Sequence, residues 1–365
     1  MLKKMNKGPG FLKKGLTFIG LFIFLVLFLP LVRAQLTSEQ IQTAKLEEQQ
    51  ESKKIKQITS GLEQRLRKAP RSKAFIEKLD FHYAAIEGFD LNVPLKSSSH
   101  KGSFYTEQEM TIRYTDRIKK GFIYRLSYDL WHINYYNTSN RNILEQNFKA
   151  ETALRLIPKK LFLETNYRYG IFRRQHTPIA DYNGNEVKIG LKHYLIKDKL
   201  YHKPSWIFRH HGYDKFKTRD ATGTPGLTKR RDNLNAIDYE IGIYLSHHVL
   251  IRLNNQFGRN ESNDGFKDFF DYSYYSVTPN IAWHITPKWL FAGGLHYQRN
   301  IYDGRDVNGF PSERENLYSF FGGVYYQINK HLTWSVNCNQ IKNGSNIPDF
   351  EYDDAWFSTG IHARF

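Results

Sequence analysis

Apolar and polar residues alternate with a period of two from residue 72 to the end of the chain. In one clear segment the apolar residues Ile237, Tyr239 and Ile241 alternate with the acidic residues Asp238 and Glu240. This spacing places apolar side chains on one face of a β-strand and polar side chains on the other. The pattern therefore predicts a series of antiparallel strands, each with one apolar and one polar face.

The connections between these predicted strands alternate between short and long. The six short connections are Asp116–Lys120, Pro158–Lys160, Lys197–Lys199, Ser246–His247, Thr286–Lys288 and Asn329–Lys330. The seven long connections are 88–102, 135–142, 176–185, 215–232, 260–268, 303–314 and 343–353. Together they predict fourteen strands, and an even number brings both ends of the chain to the side of the short turns. This is the arrangement of a transmembrane antiparallel up-and-down β-barrel, an all-β fold.

Two segments of different pattern precede the strands. Residues 1–34 combine a Lys-rich start with an apolar run from Leu16 to Leu31 and end at Ala34, which predicts a secretory signal peptide cleaved after Ala34. An uncleaved signal anchor is the alternative. Residues 35–71 are rich in Gln, Glu and Lys and lack aromatic residues, and they predict a short helical segment in the periplasm. This segment is a solvated spacer or a helix that binds a partner, and the β-barrel is expected over residues 72–365.

Composition agrees with a membrane barrel and excludes a bundle of membrane-spanning helices. Aromatic residues make up 15% of the chain, yet the mean hydropathy is −0.59, because the interior and the loops of a barrel are wet while only its lipid face is apolar. The formal net charge of +17 suits anionic lipid headgroups or lipopolysaccharide phosphates as partners. Nucleic acid is not expected as a partner of an exported chain. The single cysteine, Cys338, excludes an intramolecular disulfide.

The end of the chain is its most specific feature. Phe357, Ile361 and Phe365 lie on one face of the last predicted strand, and Phe365 is the final residue. This pattern is typical of the signal by which the barrel assembly machinery recognises outer-membrane proteins. Together with the predicted signal peptide, it places the chain in a bacterial outer membrane, with its N-terminal segment in the periplasm.

Charged residues occupy inward-facing positions of several predicted strands. They are Glu109, Arg113, Arg125, Asp129, Glu151, Arg155, Glu164, Arg168, Asp238, Glu240 and Arg252. One interpretation is a selective lining for a solute or an exported chain. The other is stabilisation of the barrel interior, because opposite charges on neighbouring strands neutralise one another whether or not a cargo passes.

The sequence offers no convincing catalytic or metal-binding constellation. We find no compact pair of Ser and His with an orienting partner. His210 and His211 are adjacent, as are His247 and His248, and adjacent residues of a strand point to opposite faces, so neither pair can chelate one metal ion. We therefore expect no cofactor, no metal and no enzymatic activity.

A basic patch is predicted outside the membrane, within the 215–232 connection. It consists of Lys229, Arg230 and Arg231. Such residues contact a surface partner, or they are simply solvated by water as most loop charges are.

The last predicted hairpin runs from Asn343-Gly344-Ser345 through Pro348 to Tyr352-Asp353-Asp354. It resembles the closing loop of outer-membrane barrels that follow tetratricopeptide domains, most nearly the surface lipoprotein assembly modifier (Slam) family. The segment Gly88–Val93 is similar to another segment of those barrels. The resemblance implies a fourteen-stranded barrel. This sequence differs at Phe350 and Asp354, where the family has Tyr and Arg. Residues 35–70 are too short for even two tetratricopeptide repeats, so the family's periplasmic repeat domain is not expected there.

Two functions of different classes follow from these observations. The first is a channel or translocator, porin-like or Slam-like, that moves a solute or a polypeptide across the outer membrane. The second is a structural or surface-interaction barrel whose closed interior is filled by its own ion pairs. The sequence does not separate them, because both predict the same inward charges.

Overall fold

A computed structural model describes residues 78–92, 102–119, 121–137, 141–175, 181–220, 222–266, 268–304, 313–346 and 351–365. The predicted signal peptide and the predicted helical segment at 35–71 lie outside these ranges, so both stay predictions. No helix in the described ranges is long and apolar enough to cross a membrane.

The described residues form fourteen strands. They are β1 (Leu79–Asp90), β2 (Ser103–Lys119), β3 (Phe122–Tyr135), β4 (Ile143–Ile157), β5 (Leu161–Arg174), β6 (Tyr182–Ile196), β7 (Leu200–Arg219), β8 (Pro225–Tyr244), β9 (Val249–Ser262), β10 (Tyr272–His284), β11 (Trp289–Tyr302), β12 (Arg314–Gln327), β13 (Leu332–Ser345) and β14 (Tyr352–Arg364).

These strands close into a single barrel. Each strand pairs antiparallel with the strands before and after it in sequence, and β1 pairs with β14 to complete the ring. The seam register matches Phe89 with Phe357 and Ala85 with Ile361. The prediction of a fourteen-stranded antiparallel barrel is confirmed.

The two ends of the barrel differ in the length of their connections. At one end, here called the short end, the connections span two to four residues, and at the other, the long end, they span five to twelve. The tight turns explain the positive φ angles of Lys159 (59°) and Asp198 (56°), each in the middle of a three-residue connection. Both ends of the described barrel lie at the short end, as expected for an even number of strands.

One predicted connection was wrong. The segment 215–232 was expected to be a loop, but β7 extends to Arg219 and β8 begins at Pro225, so only residues 220–224 connect them. These two strands are the longest of the barrel, at 20 residues each. The additional length continues the hairpin beyond the level at which the neighbouring strands end, as the pairing of Lys217 with Lys229 shows.

The outward face carries an apolar band. Trp206, Ile237 and Phe257 lie in one cross-strand row and are 45%, 63% and 59% exposed. Near the short end the outward Trp283 and Trp289 are also exposed. Large apolar side chains exposed in rows around a closed barrel form a surface suited to lipid rather than to water.

The last residue of the chain takes part in barrel closure. Phe365 accepts a backbone hydrogen bond from Phe81 (3.1 Å) and donates one back to it (2.9 Å). Phe357, Ile361 and Phe365 share the outward face, with 55%, 43% and 67% of their surfaces exposed. Their recognition by the barrel assembly machinery stays a prediction.

Aromatic rings on the inward face lie flat over glycines of neighbouring strands. Tyr201 of β7 covers Gly242 of β8, its partner in the register, and Tyr105 of β2 covers Gly88 of β1 in the same way. A Cβ atom at either glycine would collide with the ring. The absence of a side chain therefore lets a large ring pack against the backbone instead of standing out into the interior.

We expect Gly242→Ala to destabilise the barrel by about 1–3 kcal/mol, because the new methyl group displaces the buried Tyr201 ring. Urea unfolding of the refolded protein, followed by far-UV circular dichroism, measures the change. Gly322→Ala is the matched control, since the nearest atom to a Cβ there lies at 3.9 Å. Equal losses for the two variants would contradict the packing argument.

Candidate functional site

The strand register places all eleven predicted lumen residues on the inward face of the barrel. The cross-strand pairs that connect them include Arg125 with Glu151, Ala153 with Glu164, and Gly242 with Arg252. The barrel is wide enough for this face to surround a space. Fourteen strands about 4.8 Å apart and tilted by about 40° give a circumference of about 90 Å and a backbone-to-backbone diameter of about 28 Å.

The first group of inward charges centres on Lys203 of β7. Its Nζ lies 3.3 Å from Glu164 Oε2 and 3.6 Å from Glu240 Oε2. Glu164 belongs to β5, two strands away, and Lys203 reaches it across Gly190 of β6, which has no side chain to block the path. Glu240 also accepts a hydrogen bond of 2.6 Å from the hydroxyl of Tyr201. One ammonium group therefore joins carboxylates from both sides of its own strand.

A second group places two guanidinium groups on one carboxylate. Glu186 of β6 accepts hydrogen bonds from Arg168 of β5 (3.1 Å) and from Arg209 of β7 (2.8 Å). Arg168 and Arg209 line a recess in the wall, where Gly170 and Gly184 are cross-strand partners. Two small residues side by side remove the side chains that would otherwise fill this part of the wall.

The remaining predicted residues complete the charged wall. Arg125 is paired with Glu151 at 2.8 Å, and Asp129 with Lys149 at 2.8 Å. Asp80 joins Arg113 (3.4 Å) and Arg364 (2.8 Å) across the seam strands. Other contacts are Lys188 with Asp238, Arg252 Nε with Asn280 Oδ1, Arg155 over Gly121, and Glu109 in register with Ala84 and Trp131.

The wall divides into two sectors, a feature that the sequence analysis missed. Within the described residues, most of the ion-paired network occupies the inward faces of β2 to β9, which we call the charged sector. Asp80 and Arg364 at the seam and Glu315 of β12 are inward charges outside this sector. The inward faces of β10, β11 and β13 carry no Asp, Glu, Lys or Arg and form the uncharged sector. There hydroxyl, amide and imidazole groups pair with each other, as Thr278 does with His296 at 2.7 Å. The signal was present in the alternation of β10, whose inward positions read Tyr, Tyr, Ser, Thr and Asn from Tyr272 to Asn280.

A pair of Ser and His that was not identified from the sequence lies at the edge of the uncharged sector. Ser335 Oγ and His362 Nε2 lie 2.8 Å apart, on the inward faces of the adjacent strands β13 and β14. Ser335 has no exposed surface, so a substrate carbonyl cannot approach its hydroxyl in this arrangement. The contact is that of a structural hydrogen bond within the wall.

The predicted exterior patch is split between two faces of the β7–β8 hairpin. Arg230 is only 7% exposed; it pairs with Asp232 and its guanidinium lies 3.4 Å from the centre of the Phe270 ring. Its inclusion in an exposed patch was therefore wrong, because strand geometry turns it inward, while Lys229 and Arg231 point outward and are exposed. All three residues belong to β8 rather than to a loop.

The two segments that carry the resemblance to Slam barrels meet at the seam. At the long end, the backbone N–H of Asn92 donates to Asp90 Oδ1 and Asp354 Oδ1, both at 3.1 Å. The Asn92 amide also donates to the carbonyl of Asp353 at 2.7 Å. These bonds connect the end of β1 to the start of β14. The part of the closing loop at 347–350 lies outside the described residues.

No group of three or more His, Cys, Asp or Glu side chains among the described residues is arranged to hold a metal ion.

Lys203→Met leaves Glu240 and Glu164 without the ammonium group between them, so we expect a loss of about 3 kcal/mol in the free energy of unfolding. Urea titration of the refolded protein measures it. Lys199→Met, in the exposed connection between β6 and β7, removes the same charge as a control and should change the stability little. A variant at Lys203 as stable as the control would show that the bridge contributes nothing.

No family model and no curated protein sequence matches this chain. Similar solved structures include the outer-membrane protein OmpT of Vibrio cholerae, with 9% identity, 79% of this chain and 97% of that chain covered, and a TM-score of 0.45. OpdK of Pseudomonas aeruginosa, solved with vanillate, is 9% identical over 80% of this chain and 100% of its own, with a TM-score of 0.41. A bacterial polysaccharide outer membrane secretin is 9% identical over 79% and 98%, with a TM-score of 0.39. Membership of the Slam family is not shown by these comparisons.

Proposed function

We propose that this protein is an outer-membrane channel, with an ion preference set by the charged sector of its inward wall. An outer-membrane location is supported by the closed barrel, the apolar outward band and the alternation of short and long connections. The long end then faces the exterior and the short end the periplasm. The predicted helical segment at 35–71 would lie in the periplasm.

The observation that carries the proposal is a charged inward face in a barrel too wide to be filled by its own side chains. An eight-stranded barrel has an interior that wall side chains can fill, whereas sixteen or more strands leave an aqueous channel. Fourteen strands give a space of about 28 Å between backbones, too wide to be filled by side chains that pair along the wall. The charges connect neighbouring strands, as Arg168 and Arg209 do through Glu186, and so line the space rather than cross it.

Translocation of a polypeptide is the second candidate. It rests on the resemblance of the last hairpin and of Gly88–Val93 to Slam barrels, two segments that meet at the seam, where the Asn92 amide donates to the carbonyl of Asp353. A cargo chain would pass the same wall. The proposal of a solute channel and that of a translocator differ in gating, since a translocator has to be closed when it is empty.

Steady single-channel conductance of the full-length mature chain in a planar bilayer is the expected result for a solute channel. A barrel that stays silent at all voltages would overturn this proposal and favour a gated translocator or a closed structural barrel. Loss of particular surface proteins on deletion of the gene would then distinguish the translocator from the structural barrel.

Glu186→Gln should shift the permeability ratio toward anions by about a factor of two, because Arg168 and Arg209 lose the carboxylate that they share. Reversal potentials in a salt gradient measure the ratio. Glu261→Gln removes the same charge from a side chain that is 61% exposed near the long end of β9 and serves as the control. An unchanged ratio for Glu186→Gln would mean that ions do not pass along the charged sector.

A further inference from the structure

The β7–β8 hairpin presents a row of exposed cations on its outward face. Lys215, Lys217, Lys229 and Arg231 are exposed, and none of them forms an ion pair with a described residue. Lys217 and Lys229 are direct cross-strand partners. Like charges at that spacing destabilise a pair of strands, so the arrangement costs stability unless an anion lies between them.

The opposite face of the same hairpin is fixed in place. Arg219 binds Asp264 through two N–H groups, each at 3.3 Å, and the Asp264 side chain has no exposed surface. Arg230 lies over the ring of Phe270. Both contacts join the hairpin to the connection between β9 and β10, so the outward cations stand on a firmly held support rather than on a mobile loop.

The side chain of Asn263 fixes the backbone of two of the cationic residues. Asn263 accepts from the N–H of Arg231 at 2.7 Å and donates to the carbonyl of Lys229 at 3.1 Å. The turn itself is closed by Asp220, whose carboxylate accepts bonds from Thr222 and Thr224. The Thr222 hydroxyl and the backbone N–H groups of Thr222, Gly223 and Thr224 lower the pKa of Asp220, so its carboxylate stays ionised to a lower pH than that of an unperturbed aspartate.

The distance between the cations and the apolar band follows from the geometry of β8. On the outward face of β8, Asn235, Asn233, Arg231 and Lys229 succeed the apolar residue Ile237 toward the long end, and Leu227, which is 94% exposed, follows them near the turn. At about 3.4 Å per residue and a tilt of about 40°, the basic groups of Arg231 and Lys229 lie about 15–20 Å beyond Ile237. This is above the hydrocarbon and at the level of sugars that a lipid carries on its outer surface.

We propose that the outward face of the β7–β8 hairpin, formed by Lys215, Lys217, Lys229 and Arg231, binds the phosphorylated sugars of lipopolysaccharide in the surrounding outer leaflet. The inference rests on the outer-membrane location proposed above. Phosphate is the anion that clustered Lys and Arg side chains bind best. The outward orientation selects a lipid-borne ligand, because the lumen and its solutes lie on the other side of the wall.

The test uses the full mature chain in detergent micelles, titrated with fluorescent lipopolysaccharide and followed by anisotropy. The triple variant Lys217→Gln/Lys229→Gln/Arg231→Gln should bind about tenfold more weakly, and added salt should weaken binding by the wild type. The control is Lys159→Gln/Lys197→Gln/Lys199→Gln, which removes the same charge at the short end and should retain wild-type affinity. Dephosphorylated lipopolysaccharide should bind as weakly to the wild type as intact lipopolysaccharide binds to the triple variant.

Equal affinity of the triple variant and the wild type would overturn the proposal, as would equal binding of the dephosphorylated lipid. If soluble polyphosphate bound the same residues as tightly as lipopolysaccharide does, the proposed ligand would be a free polyanion and not a lipid. Cell fractionation tests the outer-membrane location separately, and conductance of the triple variant should equal that of the wild type because the residues lie outside the lumen.

Discussion

The closure of the barrel between β1 and β14 is the constraint on which the rest of the structure depends. Hydrocarbon offers no partner to a backbone N–H or C=O group, so an open strand edge within a membrane costs several kcal/mol for each unpaired group. The two bonds between Phe81 and Phe365 extend the seam to the last residue of the chain. At the other end Asn92 binds Asp354, so both ends of the seam are held. With the ring closed, each strand has a hydrogen-bonded neighbour on both sides.

Neutralisation between neighbouring strands explains how so many charges persist inside this ring. A carboxylate or an ammonium group removed from water is stable only when it is paired and hydrogen-bonded. Small residues such as Gly190 allow this pairing to pass over an intervening strand, as the bridge from Lys203 to Glu164 does. The same interactions that stabilise the wall also set its electrostatic character, so the stability of the wall and the proposed ion preference arise from one network.

The fold and the faces of its strands could be predicted because alternation depends only on backbone geometry. Residues such as Asp238 and Glu240 had to face inward once Ile237 and Tyr239 faced lipid. The hairpin at 215–232 was missed for the converse reason: beyond the membrane no lipid imposes apolar residues, so a strand there is as polar as a loop. The contact of Ser335 with His362 was also inaccessible, since it depends on the register between β13 and β14. Pairs that skip a strand depend on side-chain conformations that no periodicity encodes.

The division of the wall into two sectors has a geometric consequence. With most of its fixed charges on β2 to β9, the electric field of the interior is off-centre, and the barrel axis is not the path of lowest energy for an ion. An ion would follow one side of the wall, while the opposite side presents hydroxyl and amide groups such as Thr278 and Asn280. In the channel proposed above, such a wall would form two parallel paths, and an elongated molecule with a charged and a neutral edge would enter it in one preferred rotation about the axis.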